Sequence, residues 1–329
     1  MMKHNYLVLA TALAMGSSSA SAGYIDLFTG TDWVEGVYSF DWLPGSSYTV
    51  GGVASQLTDG DILQTYVHGS LGGYINQNGN TITNTFGLNT DYEVTFVGVF
   101  DEVVFGINSV TNPVTNQVNE SINFASIASP FSFYEIWLDT TPNSDPLTGT
   151  GYNDGVLISS GTILPGGGGN ITSTFEFSGD VNNPISNDPA DYGLLDQFGA
   201  NNWGNVKTNT GIGGSQFEVL SDVVDNTYLL PYLDNAPAPG SQLTIDFNSS
   251  QKVAFSETNP SQSFFNGTTN VLADIGTING INGNGVVLQV DGNSSFTTIP
   301  TPVPAPPALM LMLSGLAAFA TVGRRAKKV

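Results

Sequence analysis

The sequence predicts an all-β body, an antiparallel β-sandwich or jelly-roll-like arrangement, set between two apolar terminal segments. Three observations lead there. Apolar and polar residues alternate with period two over many short runs, turn pairs rich in Gly and Asn separate those runs, and no internal segment offers a helix of three turns. Many strands with no helices between them pack as antiparallel sheets, because parallel pairing needs long crossover connections.

In chain order the runs 37–42 and 62–68 come first, divided by Asp59-Gly60. Tyr92-Glu-Val-Thr-Phe96 opens a run that is wholly apolar by Val99. Runs 131–138 and 155–163 flank the turn Asp154-Gly155. In Ile171-Thr-Ser-Thr-Phe-Glu-Phe177, Ile171, Phe175 and Phe177 share one face and Thr172, Thr174 and Glu176 the other. Runs 216–220, 243–247 and 286–290 complete the set. Asn78-Gly79, Asn266-Gly267 and Asn282-Gly283 mark further turns, since Asn and Gly tolerate positive φ. Breaks at 165–169, 180–191 and 235–240 are too short to act as linkers. Residues 23–298 therefore read as one domain or two closely packed sandwiches.

Composition narrows the function classes. Charged residues are 11% and hydrophobic residues 40%, so the chain can bury a large core and is not intrinsically disordered. The absence of Cys removes disulfide scaffolds, thiolate zinc sites and cysteine nucleophiles. With only His4 and His68, a multi-histidine metal centre is excluded as well.

Both ends read as addresses. Residues 1–22 have the form of a secretory signal peptide: Lys3, an apolar stretch from Tyr6 to Met15, then Ala20-Ser21-Ala22, with Ala20 and Ala22 as the small residues of the cleavage site. Residues 299–329 have three parts: a Pro-rich stretch over 299–307, an apolar run from Ala308 to Val322, and a basic end with Arg324, Arg325, Lys327 and Lys328. The apolar run is shorter than the ~20 residues that span a bilayer, and Gly323 with snorkelling arginines extends it. Basic residues stay on the cytoplasmic side, which places the body outside, held by one short transmembrane helix. A helix buried in the body is the competing reading, and it leaves the basic end unexplained.

The tail resembles the PEP-CTERM sorting signal, in which a Pro-x-Pro motif precedes a short membrane helix and an Arg-rich end. Val303-Pro304-Ala305-Pro306, the helix 308–322 and Arg324-Arg325 carry the likeness. Ala305 stands where Glu is commoner, as in Val-Pro-x-Pro variants. The resemblance implies export by a Gram-negative bacterium, transient insertion in the inner membrane, and processing by an exosortase.

The basic residues are unevenly placed. Only Lys207 and Lys252 lie in 23–307, against all 28 acidic residues, so the body carries a formal charge near −26. Nucleic acid is excluded as a partner, because phosphate binding needs clustered Lys and Arg. Two readings of the charge stand side by side: solubility of a secreted protein, and binding of Ca²⁺ through carboxylate and carbonyl oxygens. The oxygen-rich loop after the strand 131–138 offers Asp139, Asn143, Asp145 and Asp154 as Ca²⁺ ligands. Their spacing does not match the EF-hand, and the same residues suit any turn-rich loop.

Signals for catalysis are sparse. His68 and Ser70 lie close in sequence, but no Gly-x-Ser-x-Gly elbow accompanies them, and His68 reads as a strand-end or surface residue. Glu93, Glu102, Glu135 and Glu176 lie in or beside expected strands, where a pair ~5 to ~9 Å apart could hydrolyse a glycoside. Nothing selects such a pair. Trp33, Trp42, Trp137 and Trp203 could stack on sugars if exposed, but core burial is the expected fate of each.

A second resemblance, to flocculation-associated PEP-CTERM proteins, rests on short stretches spread over the body. They are Phe40-Asp-Trp-Leu-Pro-Gly45, Tyr134-Glu-Ile-Trp-Leu-Asp139, Gly151-Tyr-Asn-Asp-Gly155, Leu195-Asp-Gln-Phe-Gly199, Gly276-Thr-Ile-Asn-Gly280 and Asp291-Gly-Asn-Ser-Ser-Phe296. It implies a non-enzymatic cell-surface or extracellular-matrix protein that holds cells together with exopolysaccharide, in flocs or biofilm. A secreted carbohydrate-binding module or glycoside-active enzyme on the same scaffold is the alternative.

Overall fold

The computed structural model describes residues 21–52, 57–111, 113, 117–176, 210–253, 260–273 and 285–299. All lie in one compact unit, Ser19–Ile299. Ala20, the sorting motif Val303–Pro306, the helix 308–322, the basic end, Trp203 and the stretch 180–191 lie outside the described residues. Among the described residues no helix is long and apolar enough to cross a membrane.

The body is all-β and antiparallel throughout its named strands. The first half contributes β1 (Ser21–Ala22), β2 (Tyr24–Phe28), β3 (Trp33–Val37), β4 (Ser39–Trp42), β5 (Gly45–Val50), β6 (Ile62–Ile75), β7 (Glu93–Thr111), β8 (Gln117–Ser126) and β9 (Phe133–Asp139). The second half contributes β10 (Val156–Ile163), β11 (Gly168–Glu176), β12 (Thr210–Val223), β13 (Leu229–Leu233), β14 (Ala236–Pro237), β15 (Gln242–Val253), β16 (Ser263–Phe265), β17 (Asn270–Leu272) and β18 (Gly285–Ile299). Every expected run that falls on described residues overlaps a strand, although Tyr38 separates β3 from β4 within the run 37–42 and the runs 131–138 and 155–163 begin before β9 and β10. The turn glycines Gly60, Gly79 and Gly267 take φ of 95°, 75° and 92°, the left-handed region where a side chain is disfavoured.

The twelve-stranded main sheet returns on itself. Its hydrogen-bonded path runs β10–β9–β7–β6–β5–β18–β15–β12 and then back to β10. Two long strands change partner along their length. Glu93–Val99 of β7 pairs with β9, and beyond Asp101 the same strand pairs with β8. In β12, residues 210–216 pair with β11 and 219–223 with β10. Strand β1 pairs through Ser21 and Ala22 with Thr298 and Thr297, so the ladder begins two residues ahead of the expected mature start.

Alternation fills the inside of this path. In β9, Tyr134, Ile136 and Leu138 are buried while Phe133, Glu135 and Trp137 look out. Phe96, Phe100, Phe217, Ile245, Phe247 and Val290 meet them from the facing strands. At one end Phe40 is wholly buried and meets Trp42, Tyr74 and Phe296 edge-on at 5.3, 5.7 and 4.8 Å. Such contacts add about 1 kcal/mol each beyond burial. Trp42 follows its core expectation, and its Nε1 donates to Ser294 Oγ at 2.7 Å. The interior cavity is only about 30 Å³. That cavity holds little beyond a water-sized group.

Two smaller sheets flank the main one. One has the order β14–β13–β2–β3 and buries Ile25, Leu27, Val34 and Val37 against the core. The other is the hairpin of β16 and β17.

Candidate functional site

The outer face of β5, β6 and β7 is covered by the loop 139–155 and the β16–β17 hairpin. Glu93 anchors the loop. Its side chain is buried, and its carboxylate accepts the backbone N–H of Asn143 at 2.6 Å, the N–H of Ser144 at 3.0 Å, and the Ser144 hydroxyl. Thr95 Oγ1 donates to the Tyr152 carbonyl at 2.8 Å, holding the far end of the loop. The hairpin is tied to the loop in turn: Ser263 Oγ donates to Thr148 O at 2.6 Å and Gln262 N to Leu147 O at 3.0 Å.

His68 lies beneath both. Far from ending a strand at the surface, it sits in the middle of β6 and is 2% exposed. Its ring is stacked between Tyr152 at 4.1 Å and Phe264 at 4.6 Å. The Ser261 hydroxyl donates to the Pro146 carbonyl at 2.5 Å, so its oxygen accepts from His68 Nε2–H at 2.8 Å. The imidazole thus donates a hydrogen bond to this serine, whereas a general base would accept one from it. Burial lowers the His68 pKa to about 3, which keeps the ring neutral.

The residues expected to hold Ca²⁺ are divided by their own turns. Asn143 Nδ2 donates to Asp154 Oδ2 at 3.2 Å, so these two meet. Asp139 Oδ1 accepts Thr141 N–H at 2.8 Å, and Asp145 accepts Leu147 N–H at 2.9 Å and Thr148 Oγ1 at 2.8 Å. The Leu147 backbone bond, followed by the Thr148 hydroxyl, leads the causes that lower the Asp145 pKa. Among the described residues no three His, Asp or Glu side chains are grouped to hold a metal ion.

Nor does the register bring the strand glutamates together. Glu93 and Glu135 share the outer face, but Glu93 stands opposite Asp139 and Glu135 opposite Val97. Four residues of strand separate them, about 13 Å. Glu102, on the opposite parity of β7, is buried; Thr65 Oγ1 donates to its Oε2 at 2.6 Å, and its Oε1 has no partner among the described residues. Burial pushes its pKa up to about 7, against the Thr65 bond, which lowers it. The side chain of Glu176 lies outside the described residues. Trp137 and Trp33 depart from the core expectation: both are partly exposed, and Trp137 Nε1 donates to Glu135 Oε2 at 3.2 Å.

An open polar surface lies elsewhere, across β12, β15, β18 and β4. Gln216, Asn248, Asn293 and Asp41 stand directly opposite one another, one per strand. At ~4.8 Å per strand this row spans about 14 Å. It follows from alternation, because the neighbours Phe217 and Phe247 turn inward to the core. The next rows hold Gly214, Ser250 and Asp291 on one side and the opposed pair Glu218 and Asp246 on the other. Asp41, Asn248, Asn293, Ser250 and Asp291 line a groove of about 610 Å³. Among the described residues, the side chains of Gln216, Asn248, Asn293 and Asp41 make no hydrogen bonds. Local sequence reading misses this row, because its members lie as far apart as Asp41 and Asn293; the only local signal is polar residues alternating in β12 and β15.

No protein-family model matches the chain, and neither does any curated protein or solved structure.

Proposed function

We propose that this is an exported surface or extracellular-matrix protein of a Gram-negative bacterium that promotes cell aggregation, as floc or biofilm, by associating with exopolysaccharide. In this reading the signal peptide 1–22 starts export, and the tail 299–329 inserts transiently in the inner membrane through the helix 308–322. An exosortase then recognises Val303–Pro306 and releases a sandwich-like, acidic body. The tripartite tail supports the address.

The observation that carries the association is the row Gln216–Asn248–Asn293–Asp41. Amide and carboxylate groups spaced one strand apart can each bond a hydroxyl of an extended sugar chain laid across the strands, since one strand spacing is close to one extended hexose. Each contact is weak and the sum is multivalent. Glu218 opposite Asp246 fits the same picture. Like charges directly opposed across strands destabilise a sheet, so this face carries a cost that packing does not explain.

Deleting 299–329 and measuring flocculation tests the sorting. Cells are expected to stop flocculating, and normal flocculation overturns the reading. A secreted carbohydrate-binding module that is never sorted would use the same groove. Mass spectrometry of the mature C-terminus separates the two: recovery of Lys328-Val329 from the surface fraction rules out exosortase processing.

A further inference from the structure

The sheet β14–β13–β2–β3 has a second face. Ile25 and Leu27 of β2 are buried beneath it, so Tyr24, Asp26 and Phe28 lie on the opposite side. Register places Tyr232 opposite Tyr24 and Trp33 opposite Phe28. Two aromatic groups result. Tyr24 stacks on Tyr232 at 4.6 Å and 11° and on Tyr38 at 5.2 Å and 28°. Phe28 meets Trp33 at 5.3 Å and Tyr228 at 6.0 Å. All six rings are partly exposed.

Two carboxylates separate the groups. The ladder between β2 and β3 slips between Ile25 and Leu27, where Asp26 and Glu35 come level. Asp26 Oδ1 accepts the Gly36 N–H at 2.8 Å, and Gly36 takes a φ of 69°. Glu35 is exposed. Both act on the phenols. Desolvation first, then the hydrogen bond to and charge of Asp26, and last Tyr24 and Glu35, push the Tyr232 pKa up to about 12. Tyr24 is raised by desolvation first, then by Asp26, Tyr38 and Glu35. No Lys or Arg occurs between Gly23 and Val206 or between Thr208 and Gln251, the stretches that build this face.

We propose that this face binds an amino-sugar polymer bearing free ammonium groups. The inference rests on the polysaccharide reading above and names its chemistry. The ring groups lie at the two ends of β2, about 13 Å apart. Sugar rings settle against them, and an ammonium group reaches the exposed Glu35, with the buried Asp26 adding its charge from behind. Aromatic faces and carboxylates both attract a cation, and here they alternate on one surface. A uronate polymer would be repelled by these carboxylates and by a body near −26. A neutral glycan would leave the exposed Glu35 facing it without a counter-charge.

Calorimetric titration of the full chain with a glucosamine oligomer, its N-acetylated counterpart and a uronate oligomer tests this. The glucosamine oligomer is expected to bind, and to weaken about tenfold when salt is raised well above physiological strength. Glu35→Gln and Trp33→Ala are each expected to weaken it about fivefold with unchanged circular dichroism. Equal affinity for the N-acetylated oligomer overturns the cationic choice, and unaltered binding by both variants overturns the site. Absence of glucosamine binding overturns the proposal while leaving the sorting reading to the tail deletion, which does not depend on this face.

Discussion

His68 Nε2 lies 2.8 Å from Ser261 Oγ, a bond between residues 193 positions apart that fastens the hairpin to the outer face of β6. Nε2–H can donate in either protonation state, but the stacked slot between Tyr152 and Phe264 is buried and disfavours the charged ring. Because burial lowers the folded pKa to about 3, below the unfolded ~6.5, the unfolded chain takes the proton first. This contribution is fully present above the unfolded value and is lost as pH falls toward 3. Chemical denaturation between pH 6.5 and 4 should show the parent losing about 1.4 kcal/mol per pH unit that His68→Phe does not lose. Equal slopes would remove His68 as the origin.

Glu102 acts with the opposite sign. Its folded pKa of about 7 lies above the unfolded value, so its contribution is present below about pH 4.5 and is lost as pH rises through 7. Glu102→Gln removes the charge but keeps an oxygen for Thr65. The variant should match the parent near pH 4.5 and exceed it by on the order of 3 kcal/mol at pH 8. A variant less stable than the parent at pH 8 would contradict this account.

Glu93→Ala leaves two loop N–H groups and a hydroxyl without their acceptor. The cost expected from charge-assisted bonds of this kind is on the order of 3 kcal/mol. Hydrogen exchange should localise the damage, with Asn143 and Ser144 losing protection while β15 keeps it.

Gly149 is the tightest approach between loop and hairpin. Its φ is +74°, and a Cβ there would stand 1.8 Å from the Ser263 carbonyl oxygen. Gly149→Ala should cost about 2 kcal/mol or more, from backbone strain and displacement of the hairpin together. Thermal melts measure the loss. A variant as stable as the parent would mean the hairpin is not held at this point.

Strands with clean alternation were legible in the sequence, as Leu243–Phe247 and Phe133–Leu138 show. Others were not, for physical reasons. In β2 the face opposite the core carries Tyr24 and Phe28, so apolar residues occur on both sides and the period vanishes. In β5 the inward positions are Ser47 and Thr49, polar residues that Thr49 resolves by bonding Thr65 at 3.0 Å. Such a strand reads as a loop. The loop 139–155 was legible as rich in Asn and Asp, because those side chains bond their own backbone two residues on. Its anchors were not, since Glu93 and Ser261 reach it from distant strands. The four proposed Ca²⁺ ligands illustrate the same limit: the sequence brings them near, and separate turns then claim Asp139 and Asp145. Closure of the main ladder depends on which distant strands meet, and no local pattern encodes that.

A β-ladder that closes leaves its member strands with few unpaired N–H and C=O groups to offer a neighbouring molecule. Backbone-to-backbone stacking, the route by which crowded β-proteins coalesce into fibrils, is thereby largely shut at the main sheet. Among the described strands, contact between molecules at the main sheet would then run through side chains, which makes it reversible and sensitive to salt and pH.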